Sequence, residues 1–436
     1  MRFLLLFSAI CFCLVAKAQS YFPPNQGSEW ETLDPSELNW CPEAIEELYD
    51  VLDENDSRAF ILLKDGRIVL EQYFGNFTSQ TPWYWASAGK TLTAALVGIA
   101  QEESLLDINN PVSDYLGEGW TSCDSSEESA ITVRHQLTMT TGLDYNVPDQ
   151  NCTEPNCLSC LSEPGSSWYY YNAPYTLLKD VIENASGQTI NQYNSAKVQS
   201  ITGMTGTFLT IESNSNVYFS NARSMARFGL LIANEGMWNG TPVIGDADYF
   251  QDMVTASQGL NEAYGYLWWL NGTSTFMIPG VPFVFPGMLV PDAPNDCIVA
   301  AGFNGQFINV VASEGLVWIR LGEAPANELV PILLNNTIWQ KINQLECTTH
   351  VAEVNGSATL NLYPNPTTDI LHMGESGQHI SGEAETIILD VSGKVVMTVK
   401  PNEGLTSMDV SALPAGMYLV RLQDRSTTFT GRFVKL

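Results

Sequence analysis

Nine consecutive residues, Leu92 to Ala100, read LTAALVGIA and carry no charge. As a helix this segment is apolar around nearly its whole circumference, and such a helix must be covered by other elements on every side. The chain therefore has to build a large core around it. Its 436 residues, 45% of them hydrophobic, are enough for that core and for two or three domains. The stretch just upstream decides what the central helix carries. WYWASAGKT, Trp83 to Thr91, ends like a phosphate-binding loop and also contains Ser87-Ala88-Gly89-Lys90, an S-x-x-K spacing.

The phosphate loop fails on steric grounds. It needs G-x-x-x-x-G-K-[ST], with a first glycine that lets the backbone wrap the phosphates. That position is Tyr84, flanked by Trp83 and Trp85. A Ser-His-Asp hydrolase also fits poorly, because there is no G-x-S-x-G elbow. His135 is the only histidine before the C-terminal region, and a lone histidine reads first as structural. The S-x-x-K spacing survives. At a helix start, positions i and i+3 share a face, so the Lys90 amine can reach the Ser87 hydroxyl. The helix N-terminus adds free N–H groups and a positive dipole for a developing oxyanion. One electrostatic obstacle stands against it: a free lysine titrates near 10.4 and is almost wholly protonated at pH 7. A base role for Lys90 requires desolvation or a cationic neighbour.

Around this motif the pattern is mixed. PEAIEELYDVLDE from Pro42 reads as a helix, and AFILLKDGRIVLEQYFG as a hairpin turning at Asp65-Gly66. Far downstream, GQFINVVASEGLVWIRLG gives a second strand pair around Ser313-Glu314-Gly315. NELVPILLNNTIWQKINQL then gives another amphipathic helix. The expected fold class is α/β (α+β). An antiparallel sheet assembled from both chain ends is flanked by helices, with a helical region inserted between them. After Cys347 the composition turns polar and turn-rich, then gives short alternating runs such as TIILDVSGKVVMTV. Residues 349–357 read as a linker and 358–436 as a small β-sandwich.

The first residues have the form of a signal peptide: Arg2, an apolar run from Phe3 to Ala16, and Ala16-Lys17-Ala18 as cleavage site. Residues 1–18 are thus expected to be removed, leaving one large domain over 19–348. No later apolar run reaches transmembrane length, so no integral membrane segment is expected in the mature chain. The chain carries −29, residues 349–436 carry −3 and residues 1–18 carry +2, so 19–348 hold −28. That balance argues against nucleic acid and anionic membranes as partners. Seven cysteines remain after cleavage, an odd number, so at least one stays unpaired within the chain. The CTEPNCLSC cluster reads as a disulfide-tied surface loop in an oxidising compartment.

The motifs resemble the penicillin-recognising serine hydrolases. The match is closest to the class C beta-lactamase-related branch with its esterases and the 6-aminohexanoate-dimer hydrolase. WASAGKTLTAALVGIA, DINNPVSDYLGEGW, ITVRHQLTMTTGL, PGSSWYYYNAPYTLLKDVIENASG and AAGFNGQFINVV follow the family's order across Pro42 to Leu345. The resemblance implies an acyl-enzyme on Ser87, with Lys90 as base and no metal or cofactor. It places the family's Y-x-N element on Tyr170-Tyr171-Asn172. Tyr170 would then relay a proton, and Asn172 would orient Lys90 and substrate. The third element, usually K-T-G or H-x-G, falls on Ala300-Ala301-Gly302. The Phe303 N–H would join the Ser87 N–H as oxyanion donors, with Gly302 keeping the strand edge open. Loss of the lysine and threonine removes the groups that hold a β-lactam carboxylate, which favours a small-molecule ester or amide substrate. GFNGQ is similar to the aminohexanoate-dimer hydrolase branch. Two other expectations stay open: a beta-lactamase or peptidoglycan D-peptidase, and a catalytically silent surface binding protein.

LYPNPTTDILHM, LDVSGKVV and LPAGMYLVRL resemble type IX secretion sorting domains. That resemblance implies the type IX machinery as a partner and a secreted or cell-surface destination.

Overall fold

Asp65 and Gly66 both adopt positive φ, 47° and 81°. They fold the chain back between β1 (Ser57–Lys64) and β2 (Arg67–Tyr73), as a two-residue hairpin turn requires. The preceding helix, α1 (Pro42–Glu54), opens on its proline. Four further strands come from the other end of the chain: β3 (Trp269–Leu270), β4 (Ile298–Gly302), β5 (Gln306–Val311) and β6 (Leu316–Gly322). All six form one antiparallel sheet in the order β2-β1-β6-β5-β4-β3. The two chain ends meet at its centre, where Ile61 lies beside Ile319 and Leu62 beside Trp318.

The computed structural model describes residues 20–211, 214–324, 330–347, 358–374, 385–390, 393–399, 407–424 and 427–436. The expected signal peptide, 1–18, and linker, 349–357, lie outside the described residues. The chain divides into two compact units, up to Cys347 and from Thr348.

Helices cover both faces of the sheet. Adjacent residues of a strand point to opposite faces. Gly229 lets α3 (Ala222–Ala233) lie against Val317 and Ile308, since a Cβ there would meet them at 2.5 and 3.0 Å. On the other face Trp339 of α4 (Ile332–Ile342) packs edge-on against Trp318 and donates to Asn309 Oδ1 at 2.9 Å. The segment Lys90–Glu102 is a helix, here α2′, buried continuously from Lys90 to Ala100 as its composition demands.

Further helices, among them Val133–Leu137 and Leu178–Ser186, form the inserted region. His135 has a structural task there: it belongs to the capping box of the first of these helices, with Thr132 N–H donating to its Nδ1 at 3.1 Å.

Three disulfides join Cys41 to Cys347, Cys123 to Cys160 and Cys152 to Cys157, leaving Cys297 as a buried free thiol. The CTEPNCLSC cluster is thus tied within itself and back to Cys123. The second unit contains a five-stranded and a three-stranded sheet, with its own core of Leu371, Ile388, Val410, Val420 and Phe433. Among the described residues no helix is long and apolar enough to cross a membrane.

Candidate active site

Ala86 holds a φ of 47°, a left-handed conformation uncommon for a residue with a side chain. It turns the chain from the short strand Trp83–Tyr84 into a 3-10 turn, Ala86–Gly89, that continues directly into α2′ at Lys90. Ser87 is therefore half-buried on a tight turn just ahead of a rigid, buried helix. The Lys90 amine donates to Ser87 Oγ at 3.2 Å and to Asn172 Oδ1 at 3.0 Å. Asn172 opens the helix Asn172–Thr176, so the Tyr170-Tyr171-Asn172 element is delivered to the same place by an element far away in sequence.

Lys90 is 2% exposed. Its Nζ lies 5.1 Å from the centre of the Tyr170 ring and 4.1 Å from that of Tyr175. Among the described residues no carboxylate lies within ion-pair distance of it. The ring faces and the amide oxygen favour the charged form. Desolvation outweighs them and lowers the lysine pKa to about 7. Burial acts oppositely on Tyr170 and pushes its hydroxyl well above its usual value, against the opposing effect of a hydrogen bond with Ser87. The two groups of this cluster thus separate: Lys90 can lose a proton near neutral pH, and Tyr170 stays a neutral hydroxyl.

The strand edge closes the site. A Cβ on Gly302 would come within 2.5 Å of Trp85 O, 2.9 Å of Ala88 N and 3.1 Å of Ser87 N. Only glycine lets β4 lie this close to the turn that carries Ser87. Ala300 and Ala301 are buried and offer no charge, and Phe303, next along, is 45% exposed. Gln306 is fully buried, donates to Phe303 O at 3.0 Å and Gly322 O at 2.7 Å, and accepts from Gly322 N–H. It holds the turn after β4.

Tyr175, which sequence reasoning did not assign, belongs to this group, and so does Trp269, which the sequence left open with Trp268 between pocket lining and core. Tyr175, three positions beyond Asn172 on its helix, lies against the lysine, and that i+3 spacing was its available signal. Trp269 of β3 stacks on Tyr170 with ring centres 5.9 Å apart, whereas its neighbour Trp268 packs in the core on Phe228. The apolar stretch STFMIPGVPFVFPGM forms a hairpin, Thr275–Ile278 with Val281–Pro286, that leaves Phe283 exposed. The cavity lined by Tyr21, Phe22, Trp30 and Trp238 shares no residue with the Ser87 group, so side-chain chemistry rather than concavity singles out the site.

This fold and this cluster define a class, the beta-lactamase-like hydrolases. Residues 53–306 match the beta-lactamase family model, and the chain belongs to that family. Residues 361–436 match the secretion system C-terminal sorting domain, which supports export by type IX secretion. The chain is 24% identical over 314 residues to a Bacillus subtilis (strain 168) protein named as penicillin-binding protein PbpX, covering 65% of this chain and 74% of that one. A solved structure from Bacillus anthracis, assigned as a 6-aminohexanoate-dimer hydrolase, aligns with a TM-score of 0.56 at 20% identity. That alignment covers 74% of this chain and 90% of that one. The hydrolase EstCE1, described as having promiscuous acyltransferase activity, aligns with a TM-score of 0.53 at 14% identity, over 69% and 97% of the two chains.

Proposed function

We propose that the chain is an exported serine hydrolase that cleaves ester or amide bonds of small molecules through an acyl-enzyme on Ser87. The observation that carries this reading is the fully buried Lys90, hydrogen-bonded to Ser87 and brought by desolvation to a pKa of about 7. Neutral Lys90 takes the proton of Ser87 Oγ as the oxygen attacks the carbonyl carbon. The backbone N–H groups of Ser87 and Phe303 receive the oxyanion. Tyr170, neutral and hydrogen-bonded to Ser87, passes the proton to the leaving oxygen or nitrogen as its bond to the acyl carbon breaks. Neutral Lys90 then takes a proton from water as the water oxygen attacks the ester on Ser87, and passes it to Ser87 Oγ as the acyl–oxygen bond breaks and frees the acid. Asn172 fixes the amine. No step calls for a metal or cofactor.

The uncharged Ala300-Ala301 edge favours neutral esters and amides over β-lactams or D-peptides, whose carboxylates need a cationic anchor. The test is an active-site serine probe, followed by a hydrolysis screen of p-nitrophenyl esters, linear amide oligomers, nitrocefin and a D-Ala-D-Ala peptide. Labelling and ester or amide turnover that vanish in a folded Ser87→Ala variant are expected. Normal labelling of that variant would overturn the mechanism, and rapid nitrocefin turnover would move the substrate class to β-lactams.

A further inference from the structure

The turn that follows β4 is held by more hydrogen bonds than its packing explains. Phe303 is half-exposed and gives the turn little anchorage of its own. Instead its three successive carbonyls are clamped: Phe303 O by Gln306 Nε2 at 3.0 Å, and Asn304 O and Gly305 O by Arg320 Nη1 at 2.9 and 2.8 Å. Arg320 is itself fully buried and fixed through Ser57 Oγ and the carbonyls of Asn55 and Glu323. A buried guanidinium this fully bonded to backbone carbonyls holds its partners in one geometry.

Two further bonds leave the turn through Asn304. Asn304, at a φ of 61°, donates through Nδ2 to Tyr84 Oη at 2.8 Å and to Glu323 Oε2 at 2.6 Å. Tyr84 lies three residues before Ser87. Its ring is set independently of this bond by stacking on Trp83 at 5.4 Å and leaning on Phe219 at 6.2 Å. Side-chain bonds to the Tyr84 hydroxyl, from Asn304 and also from Gln306, therefore span the segment leading to Ser87 and the segment carrying the Phe303 amide. We infer that the Tyr84–Asn304 hydrogen bond is a strut that fixes the separation of the Ser87 and Phe303 N–H groups. Tyr84 and Asn304 are thus positioning residues for the oxyanion. This inference rests on the reading of those two amides as oxyanion donors.

Tyr84→Phe removes the hydroxyl and keeps the ring. Asn304→Gly removes the side chain and keeps a residue that adopts positive φ without strain. Each is measured for kcat and KM on an ester, for inhibition by a boronic acid that forms a tetrahedral adduct on Ser87, and for thermal unfolding. The expected result is a kcat lower by about 10- to 100-fold, with KM changed less than about twofold. Boronate inhibition should weaken by the same factor as kcat/KM. The double variant should fall well short of the product of the single losses, because both delete the Tyr84–Asn304 bond. A merely structural role would lower the unfolding temperature and leave the ratio of boronate to substrate affinity unchanged. Folded variants with native kcat and boronate affinity would overturn the strut, as would a double variant whose loss is the product of the single losses. If Tyr84→Phe does not fold, Asn304→Gly decides alone. Ser87→Ala in the same assay separates the two claims: retained activity there refutes the serine mechanism, whereas a dead Ser87→Ala beside native-like strut variants refutes only the strut.

Discussion

Lys90 sits in a protein whose first 348 residues are strongly acidic, a setting that would by itself raise a lysine pKa. Its own surroundings reverse that expectation. Surface carboxylates act through water and salt, which screen beyond about 8 Å, and none reaches ion-pair distance among the described residues. Desolvation is local and unscreened. At a pKa of about 7, roughly half the lysines are neutral at pH 7, against about one in a few thousand for a free one. The sign follows from the chemistry. As the proposed base, Lys90 must be unprotonated, so kcat/KM for acylation is expected to rise with pH through a limb centred near 7 and to level above it. Tyr170, shifted the other way, contributes no limb in that range. A pH profile of pre-steady-state acylation checks this, and a limb at 9 or higher would show that burial does not lower the Lys90 pKa.

At the scale of the element, β4 and the Ala86–Gly89 turn work as a pair. Gly302→Ala places a Cβ 2.5 Å from Trp85 O, a backbone atom that cannot yield without moving the turn. The expected outcome is a loss of kcat/KM on the order of 100-fold, with a loss of stability of about 1–3 kcal/mol from overpacking. Ester kinetics and denaturant unfolding measure the two effects, and native kinetics would show that the strand edge tolerates a shift. The elements themselves were largely legible in sequence. Pro42–Glu54 is read from its opening proline and apolar spacing, the first hairpin from Asp65-Gly66, and α2′ from its unbroken apolar run. The short edge strand Trp269–Leu270 was not, because two residues carry no period. The left-handed Ala86 was also hidden, since alanine gives no local signal for positive φ. Within the site, S-x-x-K is visible as spacing, but the lysine's loss of charge is not. It depends on Tyr170, Tyr175 and Asn172, which only the fold brings to its side. The strut through Asn304 was invisible for the same reason: its two partners lie more than half the chain apart.

For the whole first unit, both ends are fastened at one place. Cys41 pairs with Cys347, and the backbone bonds Cys41 N–H to Leu345 O at 2.8 Å and Cys347 N–H to Asn39 O at 2.6 Å run alongside. Removing this disulfide as Cys41→Ser/Cys347→Ser is expected to lower unfolding free energy by about 2–5 kcal/mol. Serine-probe labelling should be preserved in the folded fraction. Denaturant midpoints read the first effect and probe stoichiometry the second, and an unchanged midpoint would show that the sheet alone holds the ends.

The central pairing of β1 with β6 also sets a timetable. Strands from the beginning of the chain wait unpaired on their inner edge until the last strand of the unit has emerged, because Ile61 needs Ile319 beside it. Pairings so distant in sequence form slowly. Gly302 and Phe303 arrive late as well, long after Ser87. On the proposed mechanism, a chain emerging from its N-terminus carries Ser87 for most of its passage without the Phe303 amide, and the last-made strands are the ones that complete the site.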